Sequence, residues 1–325
     1  MAQLAPIVDV VLPIFAIILA GYLVGRRGLL GEASSEALNA FVYYVALPVL
    51  LFHAMARVKP ETIFNLPFLA AYLGGGIAAF ALAYAVSRAI FRHRQAEGAL
   101  FGMAAVFGNT GYMGIPLTLI AFGEEGQVLS IVATALQGLI WVPAVLILIE
   151  GDVQGKAQGR GQGNGEAGAR AARIARAVTF NPMIAAPVVG ILWSFGGVPL
   201  PTPFANFCSV LGAAAGPCAL FALGLFLVGK PVSEGISEVS AMVVIKLLIY
   251  PLVVAVIAFG VVDLAPRAAS IAVVLAALPA GANCFVLAQN YGTFVQRSSS
   301  AILFSTLLAV ATISLLFATP YLDVR

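Results

Sequence analysis

Long apolar runs, interrupted by short clusters of charge or of glycine and proline, fill the chain from end to end. Ten are long enough to predict helical membrane spans. Five fall in the first half: Pro6 to Val24, Ser35 to Ala56, Leu66 to Ile90, Gly98 to Phe122 and Val128 to Ile149. Five more follow: Asn181 to Val198, Phe204 to Val228, Val239 to Gly260, Ala268 to Gln289 and Ser299 to Thr319. Most separators are short, such as Lys59, Pro60 and Glu61 after the second run, or Glu124 and Glu125 after the fourth. One is not. Gly151 to Ala177, containing GDVQGKAQGRGQGNGEAG, is a Gly-rich polar stretch that cannot bury a core. It divides the chain into a first five-helix unit over residues 1–150, a linker over 151–178 and a second five-helix unit over 179–325.

Composition agrees with a lipid solvent. Hydrophobic residues make up 61 % of the 325 residues and charged residues 10 %, and the mean hydropathy is +1.02. Soluble domains carry roughly 25 % charged residues, so this chain cannot cover a water-facing surface. Ten spans of ~20 residues leave only loops and ends, with no room for a large soluble domain. The fold class expected is an all-α integral membrane protein.

Charge sets the orientation. The first basic residue, Arg26, follows the first apolar run rather than preceding it, so that run reads as a retained span and not as a secretory leader. With the N-terminus outside, twelve Lys and Arg fall on the inner side and four on the outer, while Lys246 lies within a span. The linker is then cytoplasmic and both termini face outward across a cell (inner) membrane. The net charge of +3 belongs to those inner loops and does not point to nucleic acid. Five is an odd number, so two halves of one fold would lie inverted relative to each other. Prolines pair up accordingly: Pro13 with Pro187, Pro48 with Pro217, Pro116 with Pro279.

Candidate chemistry sits where helix-breaking residues meet polar ones. The segment FGNTGYMGIPL, Phe107 to Leu117, places Gly108, Gly111, Gly114 and Pro116 with Asn109 and Thr110 in the middle of a span. In LPAGANCF, Leu278 to Phe285, the residues Pro279, Gly281 and Asn283 do the same in the ninth span. A continuous helix gains nothing from such runs, since each Gly costs ~1 kcal/mol and Pro ~3 relative to Ala. Irregular backbone at membrane depth is tolerated where it lines a cavity or is buried in protein, and paired breaks in two halves point to a transporter. Simple packing kinks would need no Asn at both breaks. Half-helix N-termini present free N–H groups, and Asn amides both donate and accept, which favours an anionic substrate and also admits a neutral polar one.

Other polar residues are scarce. Lys246, about 10 Å into span eight, reads either as a positive charge for an anion pathway or as a snorkelling or structurally paired lysine. Gln137 in span five reads as helix glue or as support for the site. Asp9 reads as a terminal residue and His53 as a packed histidine. Cys208, Cys218 and Cys284 have no pairing or metal spacing and read as small packed side chains. GLFLVGK, Gly224 to Lys230, begins like a phosphate-binding loop, but Pro231 stands where a Ser or Thr would hold magnesium. No hydrolase motif is present, so no catalytic residue, metal or cofactor is expected.

At these residues the chain resembles the auxin efflux carrier family, which includes the plant PIN-FORMED carriers and bacterial malonate and malate permeases. The resemblance rests on NAFVYYVALPVLLFHA (Asn39 to Ala54), GNTGYMGIPL, QGLIW (Gln137 to Trp141), NPMIAAPVVGILWS (Asn181 to Ser194), FALGLFLVGKP (Phe221 to Pro231) and LPAGANCFVLAQNYG (Leu278 to Gly292). It implies ten helices in two inverted five-helix repeats of the bile-acid-transporter-like type, with broken spans four and nine crossing near the midplane. It further implies a small organic anion bound at that crossing, an elevator-like shift against a scaffold, and a homodimer. Asn109 and Asn283 fall where the family contacts the substrate carboxylate. The implied site comprises Asn109, Thr110, Gly111, Pro116, Pro279, Gly281 and Asn283, with Gln137 and Lys246 supporting it or along the pathway. Tyr72 and Gly76 stand where the plant members place an Asp and a Lys, a departure that bears on that pair's coupling role and on auxin itself; the substrates implied are mono- or dicarboxylates, with auxin-like acids among the candidates. Two other readings are a sodium-coupled symporter of the bile-acid-transporter type and an anion-binding membrane sensor. The first calls for more mid-span carboxylates and the second for a partner-binding domain, and the sequence offers neither.

Overall fold

A computed structural model of the chain describes residues 12–57, 65–158, 182–229, 235–319 and 322. Asp9, Lys59, Pro60, Glu61, Lys230, Pro231 and the linker beyond Gln158 lie outside the described residues. All regular structure among the described residues is helical. In chain order the helices are α1 (Leu12–Arg26), α2 (Ala33–Arg57), α3 (Leu66–Ala89), α4 (Gln95–Val106), α5 (Ile115–Gln158) and α6 (Pro182–Phe195). They continue as α7 (Thr202–Phe226), α8 (Ile236–Gly260), α9 (Pro266–Ala276), α10 (Asn283–Asn290) and α11 (Val295–Phe317).

Six stretches are long and apolar enough to cross a membrane: α2, α3, Thr110–Asp152, α7, α8 and α11. The helices Leu12–Arg26, Ile184–Phe195 and Pro266–Ala276 are apolar but shorter. Gly123, at φ 68° and ψ −152°, splits α5 where the fourth and fifth apolar runs were expected to part. A positive φ of this kind costs a glycine nothing, and Glu124 and Glu125 follow at the bend. At its far end α5 runs to Gln158, past the expected boundary at Ile149 and into the first residues of the linker. Near the expected boundary, Gln95 Nε2 donates to the Leu148 carbonyl at 3.2 Å.

Three helical stretches widen into a π turn, at Val42–Ala46, Thr110–Gly114 and Ile245–Ile249. Each is followed two residues later by a proline: Pro48, Pro116 and Pro251. A proline lacks the N–H that would bond the carbonyl four residues back, and its ring collides with that carbonyl. Those carbonyls belong to Tyr44, Tyr112 and Leu247, each inside its π turn. One extra residue per turn relieves the collision while the helix continues. Pro143 and Pro187 sit inside α5 and α6 without such a turn, so proline alone does not impose it.

The helices pack as two bodies. In the first, α1 lies on α7 and α6 lies on α2. A methyl group at Gly21 would strike the Phe221 carbonyl, one at Gly224 the Ile18 carbonyl, and one at Gly190 would sit 2.6 Å from the Phe52 carbonyl. Such contacts let helix backbones touch where lipid supplies no hydrophobic drive. The second body gathers α3, α4, α5 and α8 to α11. Polar ties at both of its ends hold it together. Arg267 in the first turn of α9 pairs with Glu125 at 3.2 Å and donates to the Phe122 carbonyl at 2.8 Å. At the other end His93 Nε2 lies 3.1 Å from Glu238 Oε1, and Arg297 pairs with the second oxygen of Glu238. Ser87 Oγ lies 2.9 Å from His93 Nδ1, and Tyr291 donates to Glu150 at 2.8 Å. Between the bodies runs an apolar seam in which Leu47, Leu51, Ile115, Val128, Ile131, Ala215 and Ala219 are buried.

Candidate functional site

Two helices stop in mid-molecule. α4 ends at Val106 and α9 at Ala276, and helix resumes only at Thr110 and Asn283. Each interruption leaves peptide groups with no helical partner. They find each other. Asn109 N–H donates to the Pro279 carbonyl at 2.8 Å, and Gly281 N–H donates to the Phe107 carbonyl at 2.8 Å, which pairs Gly108 with Ala280 as an isolated antiparallel bridge. The bridge demands small residues. A Cβ at Gly281 would lie 2.9 Å from the Phe107 ring and 3.0 Å from the Gly108 carbonyl.

The two N–H groups that point away from the bridge are met by side chains. Gly108 N–H donates to Gln137 Oε1 at 2.6 Å, and Ala280 N–H donates to Ser305 Oγ at 3.0 Å. Gln137 comes from α5 and Ser305 from α11, the fifth and tenth apolar runs. Gln137 Nε2 also donates to Thr110 Oγ1 at 2.7 Å, and the Thr110 and Thr134 hydroxyls lie 2.9 Å apart. Gln137 is fully buried, and so are Thr110, Pro279 and Gly281. These residues build the backbone of the junction rather than face an open space. Pro116 packs against α7, where a Cβ at Gly216 would lie 3.4 Å from its ring. Gly111 lies in the π turn, half-buried.

Lys246 stands behind the junction. It is wholly buried, and its Nζ donates to the carbonyl of Ala276, the last residue of α9, at 2.6 Å. It therefore does not snorkel. The Tyr250 ring lies beneath the ammonium, 4.8 Å from ring centre to Nζ.

Asn109 and Asn283 differ from the rest of the expected set, because both line a cavity of about 750 Å³. Asn109 precedes the Thr110–Gly114 turn and accepts from Met113 and Gly114 N–H through its carbonyl at 3.0 Å, so its side chain is not spent on capping. Asn283 begins α10 and is half-buried. The opposite wall comes from α2 and brings Ser35, Glu36, Asn39, Tyr43 and Tyr44, while Tyr112 and Gln289 complete the polar lining. Sequence reading singled out none of these seven as part of a site. The signal was present in NAFVYYVALP, where Asn39 interrupts an apolar span and tyrosines follow at positions 43 and 44. His53 lies elsewhere, in a second cavity of about 580 Å³ with Arg57, Ser194, Asn206 and Ser209. The three cysteines are free, with Cys208 and Cys284 buried.

This arrangement can hold a small polar molecule between two amides and the first-turn N–H groups of two half-helices, inside a body of membrane helices. Known proteins give the family. Residues 6–317 match the family model described as membrane transport protein. A protein of Rhizobium meliloti (strain 1021) described as "Putative malonate transporter" is 34 % identical over 322 residues, covering 96 % of this chain and 95 % of that one. A protein of Methanothermobacter thermautotrophicus described as "Uncharacterized transporter" is 28 % identical over 311 residues, covering 94 % and 96 %. The rice protein described as "Probable auxin efflux carrier component 1b" (Oryza sativa subsp. japonica) is 32 % identical over 141 residues, 42 % of this chain and 25 % of its own length. The family and these relatives are transporters, not enzymes. The chain is an integral multi-pass membrane protein and belongs to the membrane transport protein family, that of the auxin efflux carriers.

Proposed function

We propose that the protein is a secondary transporter of small organic anions, which it binds by a carboxylate between Asn109 and Asn283 where the two interrupted helices meet. The observation that carries this reading is the junction itself: two helix breaks joined by backbone hydrogen bonds, with one Asn from each on the same cavity. An amide pair beside two helix N-termini can hold a carboxylate through hydrogen bonds, with Glu36 the acidic residue that lines the same cavity. The name of the Rhizobium relative makes malonate the first acid to test.

The same reading takes the chain as ten spans in two inverted five-helix repeats, residues 1–150 and 179–325, joined by the linker over 151–178. Dividing α5 at Gly123 and joining α4 and α9 across their breaks to the helices that follow supports that count. The matched roles of Gln137 and Ser305 support the repeat, since each closes the outward N–H of its own half's break. The apolar seam between the two bodies supports an elevator-type movement, with the junction carried by the body of α3 to α5 and α8 to α11. The Lys and Arg bias supports both termini outside, with the Gly25 and Gly229 side of the cavity toward the cytoplasmic face of an inner membrane.

Counterflow of labelled malonate and related acids into liposomes holding the purified protein tests the reading. Losing one charge-assisted hydrogen bond costs ~1.5–3 kcal/mol, about ten- to a hundredfold in affinity. Asn109→Ala and Asn283→Ala should each lose binding on that scale and still fold. Wild-type affinity and transport in both variants would remove the junction as the site.

A further inference from the structure

Among the described residues, Lys246 is a buried cation with no carboxylate beside it. The described ion pairs lie elsewhere, at His93–Glu238, Arg297–Glu238 and Arg267–Glu125. Its partners are of another kind. The Ala276 carbonyl, 2.6 Å from Nζ, is one of those that the end of α9 leaves without a helical donor, at the negative pole of that helix. The Tyr250 ring offers its electron-rich face at 4.8 Å. A Cβ at Gly108 would stand 3.5 Å from Nζ, so the ammonium touches the first break as well as the second. Carbonyl oxygens freed by an unwound helix are the ligands that a hard cation from solution would take. Here a compact ammonium of the chain itself takes them.

We propose that the Lys246 ammonium is a resident cation of the junction, standing where a coupling ion would otherwise bind, so that the transport cycle runs without sodium. This rests on the transport reading above. The amine is covalently attached and is in place at the start of every cycle. Among the described residues no carboxylate stands beside it, so a carboxylate arriving at the junction supplies the counter-charge that favours the ammonium form. Charge and backbone contact come from one group: the ammonium fixes the last carbonyl of α9 and so the approach to Pro279 and Asn283.

The test uses the full chain in liposomes and in detergent. Wild-type counterflow of malonate should be the same in sodium chloride and in choline chloride at equal ionic strength. Lys246→Ala should lose counterflow about ten- to a hundredfold, the scale of one charge-assisted bond. Propylammonium, which replaces the deleted atoms, should restore counterflow and raise the melting temperature of Lys246→Ala by mass action while leaving the wild type unmoved. Lys246→Met fills the space with an apolar chain; it should fold, lose counterflow and stay insensitive to propylammonium. Sodium-dependent wild-type counterflow overturns the proposal. So does wild-type activity of Lys246→Met in choline, an outcome that decides the matter even where the alanine variant does not fold. If the wild type moves no acid in either medium, the transport reading fails instead, and the melting response of Lys246→Ala to propylammonium still decides whether this is a cation site.

Discussion

Gln137→Met is the sharpest test of how the junction is built. Methionine keeps the length and most of the volume of glutamine, so packing in α5 changes little. What disappears is polar. Gln137 Oε1 no longer accepts from Gly108 N–H at 2.6 Å, and Nε2 no longer donates to Thr110 Oγ1 at 2.7 Å. The further contact to the Gly108 carbonyl, at 3.5 Å, is too long to add much. The Thr110 hydroxyl keeps Thr134 at 2.9 Å, so its loss is partial. Gly108 N–H has no such reserve, because its neighbours along the break are already committed to the bridge. A buried donor left unpaired costs ~1–3 kcal/mol, and the bond to Thr110 adds about 1. The expected destabilisation is therefore about 2–4 kcal/mol. Equilibrium unfolding in mixed micelles of graded denaturing strength measures it, with malonate binding followed alongside. Stability within about 0.5 kcal/mol of wild type, the level of an ordinary surface change, would refute the idea that Gln137 carries the break.

Three further outcomes follow from the same contacts. Gly281→Ala should push Phe107 and the Gly108 carbonyl apart, costing about 1–3 kcal/mol as an overpacked site does, and should weaken acid binding more than it weakens the fold; a binding isotherm matching wild type would contradict the bridge geometry. Glu238→Gln removes the partner shared by His93 and Arg297 and should cost about 1–3 kcal/mol of stability; proteolysis in the α3–α4 and α10–α11 connections should quicken, and unchanged cleavage rates would count against the tie. A cysteine at Gly161 should react only with membrane-permeant maleimides in intact cells, and labelling by an impermeant one from outside would reverse the orientation.

Much of the junction was legible because lipid punishes irregular backbone. Gly108, Gly111, Gly114 and Pro116, or Pro279 and Gly281, have no reason to sit in mid-span unless the helix stops there, so both breaks could be placed from residue type alone. The bond from Asn109 N–H to Pro279 could not be, since nothing local in either segment names its partner. The same limit hid Ser305, a hydroxyl among several in α11, although its counterpart Gln137 stood out by size and polarity. Lys246 was ambiguous for a related reason: whether a lysine snorkels or turns inward depends on the free carbonyl end of α9, which arrives from a different part of the chain. Prolines gave partial information. Pro48, Pro116 and Pro251 follow π turns while Pro143 and Pro187 do not, and local sequence does not separate the cases. Apolar runs overstated helix length where glycine and proline ended a helix early, as at α6 and α9, and understated it where α5 continues past Ile149.

The bridge between Phe107–Asn109 and Pro279–Gly281 also has a kinetic meaning. It fastens the two backbone breaks to one another through main-chain bonds, with Asn109 in the bridge and Asn283 two residues beyond it, so neither break can shift without breaking peptide pairing in a water-poor interior. A grip of fixed shape holds its cargo equally well whichever side of the membrane it faces. If access alternates around such a grip, the two dissociation constants are nearly equal, and the carrier has no built-in direction. Net flow is then set by the concentrations of the acid on the two sides and by the membrane potential acting on its charge, at about 2.3 kcal/mol per elementary charge for each 100 mV. With a negative interior, the potential favours outward movement of an anion carried at the proposed site.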